Sequence, residues 1–164
     1  MKFHPAIMNG ELKKPLPALL FKVQQSPEGT LSAIHRIYLN SMGTGKAPVD
    51  NPKMALGSIK GAGIWLGLPG ETLSIVEGPE NALSILMMGA SFVVCTVNAA
   101  NFSCLLIPPY VKEVILLPDN DEAGRLACVR ATTSYREQGK IVKVKFPPMI
   151  KGKKKTDWND LLVA

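Results

Sequence analysis

Hydrophobic residues recur along the chain with two different rhythms, and the change falls near residue 68. Before it, β-prone runs at residues 19–23 and 33–39 flank the turn-rich linker Gln24-Gln25-Ser26-Pro27-Glu28-Gly29-Thr30, which predicts a hairpin. Two shorter apolar runs, near residues 54–56 and 64–66, are set off by Gly57, Gly61, Gly63 and Gly67 and are expected to complete a small antiparallel sheet. Beyond residue 68, strand and helix signals alternate. Residues 72–76 read as a strand, and Glu77-Gly78-Pro79 opens a helix to about residue 88, with proline in the first turn, where its missing N–H costs nothing. Residues 92–97 predict a second strand and residues 101–106 a short helix. The continuous apolar run Val114-Ile115-Leu116-Leu117 predicts a third strand, buried on both faces and ended by Pro118. A long helix follows over residues 122–138, with Ala123, Leu126, Ala127, Ala131 and Tyr135 on one face at helical spacing and Gly139 as its stop. A fourth strand over residues 141–146 is closed by Pro147 and Pro148.

This alternation predicts the α/β class: a parallel four-stranded sheet with helices on both faces over residues 69–164, preceded by a small antiparallel β subdomain over residues 1–68. A length of 164 residues suits one domain, or a medium domain with a small partner, and is enough to bury a core. No stretch is apolar for the length of a membrane span, and Met1-Lys2-Phe3-His4-Pro5 lacks a signal-peptide core, so a cytoplasmic protein without a membrane partner is expected. Cys95, Cys104 and Cys128 are scattered and odd in number, and the only histidines are His4 and His35, which argues against a zinc site or a disulfide framework. The net charge of +6 is uneven: residues 1–68 carry eight Lys or Arg against three Asp or Glu, and residues 69–164 eleven against ten. A basic surface beside an acidic cluster suits a protein that holds a polyanion near a metal.

The acidic cluster centres on Leu116-Leu117-Pro118-Asp119-Asn120-Asp121-Glu122-Ala123-Gly124. Asp119 and Asp121 lie just past the carboxyl end of a strand, the edge where parallel sheets bind ligands, and two carboxylates so spaced can aim oxygens at one hard cation such as magnesium. On this stretch alone a second reading stands beside the first, an Asp-rich turn that caps the next helix. Glu77 also ends a strand. If right-handed crossovers place the first and third strands side by side, with the second outside the first, Glu77, Asp119 and Asp121 meet in one crevice, and a divalent cation would relieve their repulsion. Arg36, Lys46 and Lys53, with His35 and Lys60, offer a basic face for phosphates or an ordinary solvated surface. Gly43-Thr44-Gly45-Lys46 is not a phosphate loop, because the glycine spacing is too short and Ala47 follows the lysine. Lys151, Lys153, Lys154 and Lys155 form a basic run in a loop, open to the same two readings.

Three motifs in order, Glu77-Gly78, Asp119-x-Asp121-x-Ala123-Gly124 and Lys155-Thr156-Asp157-Trp158-Asn159-Asp160-Leu161-Leu162, resemble the Toprim domain shared by bacterial-type primases, topoisomerases and some nucleases. The likeness is greatest to the primase-helicase proteins of phages, plasmids and integrated elements. Phe3-His4-Pro5, Ile34-His35-Arg36-x-Tyr38-Leu39 and Gly45-Lys46-Ala47 are similar to the segment that precedes Toprim there. The resemblance implies a Toprim-like fold and the catalytic fragment of a DNA primase, which makes primers on a single-stranded DNA template from nucleoside triphosphates, alone or with a replicative or fused helicase. It implies magnesium or manganese held by Asp119 and Asp121, Glu77 as general acid or base or a further ligand, and Asp157 as a late acid acting directly or through another group. Lys153, Lys154 and Lys155, with Arg36, Lys46 and Lys53, would meet nucleic acid or nucleotide. Trp158 is expected to anchor the final helix by packing, with stacking on a base as the alternative, and Asp160 to cap or solvate that helix. Asn81 stands where many Toprim domains carry an acid, with Glu80 one position earlier, and no zinc motif precedes the first of these motifs. A Toprim metal-dependent nuclease and a catalytically silent nucleic-acid-binding module are the alternatives. Topoisomerase chemistry is disfavoured, because Tyr38, Tyr110 and Tyr135 have no context marking a nucleophile.

Overall fold

The computed structural model describes residues 1–162. Four strands, β1 (Lys2–Asn9), β2 (Lys14–Gln24), β3 (Leu31–Tyr38) and β4 (Lys53–Gly57), form an antiparallel sheet in the order β1-β2-β3-β4. The predicted hairpin is β2 and β3. β1 escapes the hydrophobic pattern because it is an exposed edge strand interrupted at Pro5, where its register with β2 shifts between His4 and Ile7.

The second sheet holds β5 (Ile64–Gly67), β6 (Thr72–Val76), β7 (Phe92–Cys95), β8 (Glu113–Leu117) and β9 (Ile141–Val144) in the order β5-β7-β6-β8-β9. The four later strands are parallel, as expected. β5 corrects the sequence reading: instead of completing the first sheet it pairs antiparallel with β7, making five strands. Gly63 explains the placement, since a Cβ there would lie 2.5 Å from Val94 Cγ2, a closeness only glycine permits. At Gly63 the two sheets are stitched together: its N–H and C=O exchange 2.9 Å hydrogen bonds with Gln24, and the Trp65 indole N–H donates to the Gln24 carbonyl at 2.9 Å.

Side chains alternate across β6 and β8, so both faces of the second sheet are apolar. Leu73, Ile75, Val114 and Leu116 pack beneath α2 (Glu122–Glu137), while Val76 and Leu117 pack beneath α1 (Pro79–Met87) and against Phe21, Val23, Ala33 and Ile37 of the first sheet. Two helical details differ from the periodicity. On α2 the buried residues are Gly124, Ala127, Cys128, Ala131 and Tyr135, whereas Ala123 and Leu126 face outward. The helix is rotated because Gly124 sits against the Asp119 carbonyl oxygen, 2.3 Å from where a Cβ would be. The short helix expected over residues 101–106 is only a 3-10 turn at Ala99–Asn101. There the Asn101 side chain donates to the Ala62 and Thr96 carbonyls at 2.7 and 3.0 Å, and tertiary pairing wins over local helix. No helix among the described residues is long and apolar enough to cross a membrane.

Phe21 is 1 % exposed and belongs to the first sheet, but its core is shared with the second. Phe21→Ala is expected to lower the unfolding free energy by about 3–5 kcal/mol. Both tryptophans, Trp65 and Trp158, lie outside the first sheet, so urea unfolding followed by their fluorescence should shift with backbone circular dichroism in one transition. A tryptophan transition that stays at the wild-type midpoint would show that the sheets fold independently.

Candidate functional site

β6 and β8 lie side by side and parallel, with Val76 opposite Leu117. Glu77 follows the first directly and Asp119 follows the second by one intervening residue, so both leave the same carboxyl-terminal edge. The chain goes from β6 outward to β7 and returns past it to β8, and α1 and α2 cover opposite faces; the crevice between β6 and β8 is therefore a switch point. A cleft of 310 Å³ opens here, lined by Glu77, Glu80, Asn81, Asp119 and Asp157 from the second sheet's side and by Lys46 and Lys53 from the first sheet's side. Val97, on its wall, has φ +73°, a conformation that costs a β-branched residue about 1–3 kcal/mol.

Burial first, and then the charges of Asp119 and Asp121, push the Glu77 carboxyl above its ordinary range; Lys155 pulls it partly back. Asp119 is raised by burial, Asp157 and Asp121, against the opposing charge of Lys155 and a hydrogen bond from Asn81. These carboxylates thus repel one another across a half-buried crevice. As the side chains stand, no three His, Cys, Asp or Glu among the described residues are arranged to hold a metal ion.

The turn after β8 is shaped by capping. Asp121 is the N-cap of α2, and its Oδ1 accepts the Gly124 N–H at 2.8 Å, so the helix-cap reading of this stretch is realised. Asn81, 4 % exposed, donates through Nδ2 to Asp119 Oδ1 at 2.8 Å and accepts the Asn159 N–H through Oδ1 at 3.0 Å. The late segment is laid over the same turn: the Asn120 N–H donates to the Thr156 carbonyl at 2.8 Å and the Trp158 indole N–H to the Pro118 carbonyl at 3.2 Å. Trp158 also packs against the core under α1, as an anchor would. Asp157 and Asp160 accept each other's backbone N–H at 2.8 and 3.1 Å, which caps the closing 3-10 turn and leaves Asp157 on the cleft wall.

The basic residues divide. Lys46 and Lys53 reach Glu80 at 3.0 and 2.8 Å. Lys155 stands close enough to act on Glu77 and Asp119, Lys153 pairs with Asp160, and Lys154 is exposed. Arg36 alternates with inward-facing His35 along β3 and lies over the Tyr38 ring, 5.7 Å from its centroid, away from the cleft. Of the sequence candidates, Glu77, Asp119, Asp157, Lys46 and Lys53 share the cleft, Asp121 and Lys155 flank it, and Arg36, Lys153 and Lys154 do not line it. The pattern does not single out Glu80 as a partner of both lysines, or Asn81 as the link between Asp119 and the chain's end. Their signal is positional: the first turn of a helix that starts at this edge of a parallel sheet faces the crevice.

A mixed sheet with a carboxylate-lined switch point, capped by a late Asp-Trp-Asn-Asp segment, defines the class. A family model described as the Toprim domain matches residues 72–164, and the chain belongs to that family. A model described as a domain of unknown function (DUF7146) matches residues 1–66. No curated protein matches the sequence. Among solved structures, a DNA primase domain from Pseudomonas aeruginosa matches with TM-score 0.60 and 18% identity, over 96% of this chain and 51% of that one. The primase fragment of the bacteriophage T7 primase-helicase protein matches with TM-score 0.60 and 18% identity, over 90% and 58%. The Aquifex aeolicus primase, with its zinc-binding and RNA polymerase domains, matches with TM-score 0.59 and 18% identity, over 90% and 36%. At such identity the likeness is one of fold, and the chain spans about half the length of the first two and about a third of the third.

Because Glu77 and Asp119 are raised, the folded chain keeps their protons at pH values where the unfolded chain has released them. The folded state then binds more protons, so stability rises as pH falls through the raised values and is lost as pH rises above them. Urea midpoints of the metal-free protein from about pH 4 to about pH 8 should show this slope, and Asp119→Asn should flatten it. Asn81→Asp replaces a donor with a carboxylate facing Asp119 Oδ1, and is expected to cost about 1–3 kcal/mol at neutral pH, less in acid. Equal destabilisation at both pH values would assign Asn81 to packing alone.

Proposed function

We propose that the chain is the catalytic fragment of a DNA primase-type nucleotidyltransferase, which joins nucleoside triphosphates on a single-stranded DNA template. The observation that carries this reading is the meeting of Glu77 and Asp119, on adjacent parallel strands, with Lys46 and Lys53 across one cleft. Membership of the Toprim family and the primase fold support it. Its carboxylate donors are hard oxygens, which fit magnesium or manganese, and the repulsion that raises Glu77 and Asp119 is what a divalent cation offsets.

Asp119 and Asp121 would hold the cation, with Asp157 and Glu77 as further ligands; when bound it would neutralise phosphate charge and polarise the phosphorus centre. Asn81 fixes the Asp119 carboxylate, and Asp121 is held by its cap on α2. As the alternative to ligation, Glu77, whose carboxyl burial and the charges of Asp119 and Asp121 keep above its usual range, would act as general acid or base. Lys155 offsets part of the negative charge, and the lysine loop would meet backbone phosphates. A cytoplasmic location, and a helicase partner or fused helicase, belong to this reading too; the T7 protein it resembles is by name a primase-helicase.

Incubation with single-stranded DNA, magnesium and labelled nucleotides tests the proposal: labelled primers support it, template cleavage favours the nuclease alternative, and binding without either points to a silent module. Asp119→Asn with Asp121→Asn should abolish the magnesium-induced rise in melting temperature and leave the metal-free fold intact, since asparagine still caps α2. Unfolding of that double variant would instead mark the pair as structural. Replacing Lys153, Lys154 and Lys155 with alanine should flatten the salt dependence of single-stranded DNA binding by roughly 0.7 for each phosphate no longer neutralised, with magnesium affinity little changed. An unaltered salt slope would return the loop to a solvated surface.

A further inference from the structure

Unlike Glu77 and Asp119, Glu80 is held below its ordinary range: burial would raise it, but the ammonium groups of Lys53 and Lys46 outweigh burial. It is therefore charged at neutral pH. Lys53 donates to Oε2 at 2.9 Å and lies 2.8 Å from Oε1, which Lys46 approaches at 3.0 Å. One carboxylate thus serves two ammonium groups from two different stretches, the loop after β3 and the start of β4, and one positive charge is left unmatched. Glu80 lies in the first turn of α1, whose N-cap Gly78 supplies no side-chain acceptor, and the Glu80 carboxylate takes its own backbone N–H. Beside Lys53 and Glu80, inward-facing His35 is 3 % exposed, and neither ring nitrogen has a hydrogen-bond partner among the described residues. Two lysines, a helix N-terminus without a side-chain N-cap and a buried imidazole with no partner offer more donors than one carboxylate can use. A phosphate group, with more charge and several oxygens, matches them better.

We propose that Glu80 is a placeholder in a phosphate site: in the free protein it fills the position between Lys46, Lys53 and the start of α1, and a ligand's phosphate displaces it. The proposal rests on the nucleotide-handling reading above and adds an internal competitor to it. Lys46 and Lys53 are 48 % and 37 % exposed, and ion pairs of that exposure are weak, so the exchange is open to a ligand of modest affinity. The position lies in the same cleft as Glu77 and Asp119, which would set the bound phosphate beside the carboxylate cluster.

The test is titration of the full chain with inorganic tripolyphosphate in metal-free buffer. Glu80→Gln, which keeps the shape and removes the charge, should bind roughly three- to tenfold more tightly than wild type. That gain should vanish when Lys46→Ala and Lys53→Ala are added. Thermal melts of Glu80→Gln and of Glu80→Ala show whether the fold is kept, and Glu80→Ala should show the same gain. Parallel titrations with a nucleoside triphosphate and with an oligothymidylate identify the source: gain with the nucleotide alone assigns terminal phosphates, and gain shared with the oligonucleotide assigns backbone phosphates. Unchanged or weaker binding of all three by both Glu80 variants overturns the proposal and leaves Glu80 as a clamp between the sheets. Primer synthesis reports separately: a chain that makes no primers yet shows the gain keeps the phosphate site and loses the primase reading, and primer synthesis without the gain does the reverse.

Discussion

The parallel pairing of β6 with β8 is the constraint from which the site follows. With Val76 opposite Leu117, the strands end together, and Glu77 and Asp119 are delivered to neighbouring positions on one edge. That register is fixed by burial on both faces: a slip of one residue would turn Leu73, Ile75, Val114 and Leu116 out of the core beneath α2. The apolar core therefore sets where two carboxylates stand, although neither touches it in a way that stabilises the chain. Their raised proton affinities show the opposite, since the folded state holds them together against repulsion.

What keeps them in place is polar and local. Asn81 reaches from α1 to Asp119 and on to Asn159, and Trp158 and Thr156 tie the late segment to the turn after β8. Three stretches far apart in sequence are closed over one edge by these bonds. An amide at position 81 has a specific advantage, because it can donate to a carboxylate and accept from a backbone N–H at once. An acid there would add to the repulsion on Asp119.

Much of this is legible in the chain because both faces of the second sheet are buried, and buried strands leave continuous apolar runs. All four of its parallel strands and the side-by-side placement of β6 and β8 follow from those runs and crossover handedness, with β7 and β9 each two residues shorter than their patterns. β5 reads as part of the wrong sheet because its run is as short as that of β4, and the deciding feature, a close approach at Gly63, is a packing fact with no local pattern. β1 escapes the pattern because its exposed side chains carry no periodicity. On α2 the phase differs because Gly124 meets a backbone oxygen, a closeness that hydrophobic spacing does not encode. In the site, Glu77 and Asp119 can be read because motif and strand end coincide, and Asp157 from its motif alone. Arg36 cannot be separated from Lys46 and Lys53 in this way, since facing is decided by β-strand parity, and the two lysines lie on and after a loop of irregular backbone.

Charge in the cleft follows from the same geometry. Glu77, Glu80, Asp119, Asp121 and Asp157 face or flank it against Lys46, Lys53 and Lys155. The two signs are not mixed at random: the first sheet's side brings Lys46 and Lys53, while the second sheet brings all five acids and only Lys155. Glu80 crosses that divide and binds the two sides together by charge, as Phe21 and Gly63 do by packing. A polyanion entering the cleft meets lysines on one wall and carboxylates on the other, so its phosphates are directed to the first sheet's side and any cation to the second. The antiparallel sheet is thus more than a preface to the α/β fold, because it supplies the positive wall of a site whose negative wall lies on a different sheet.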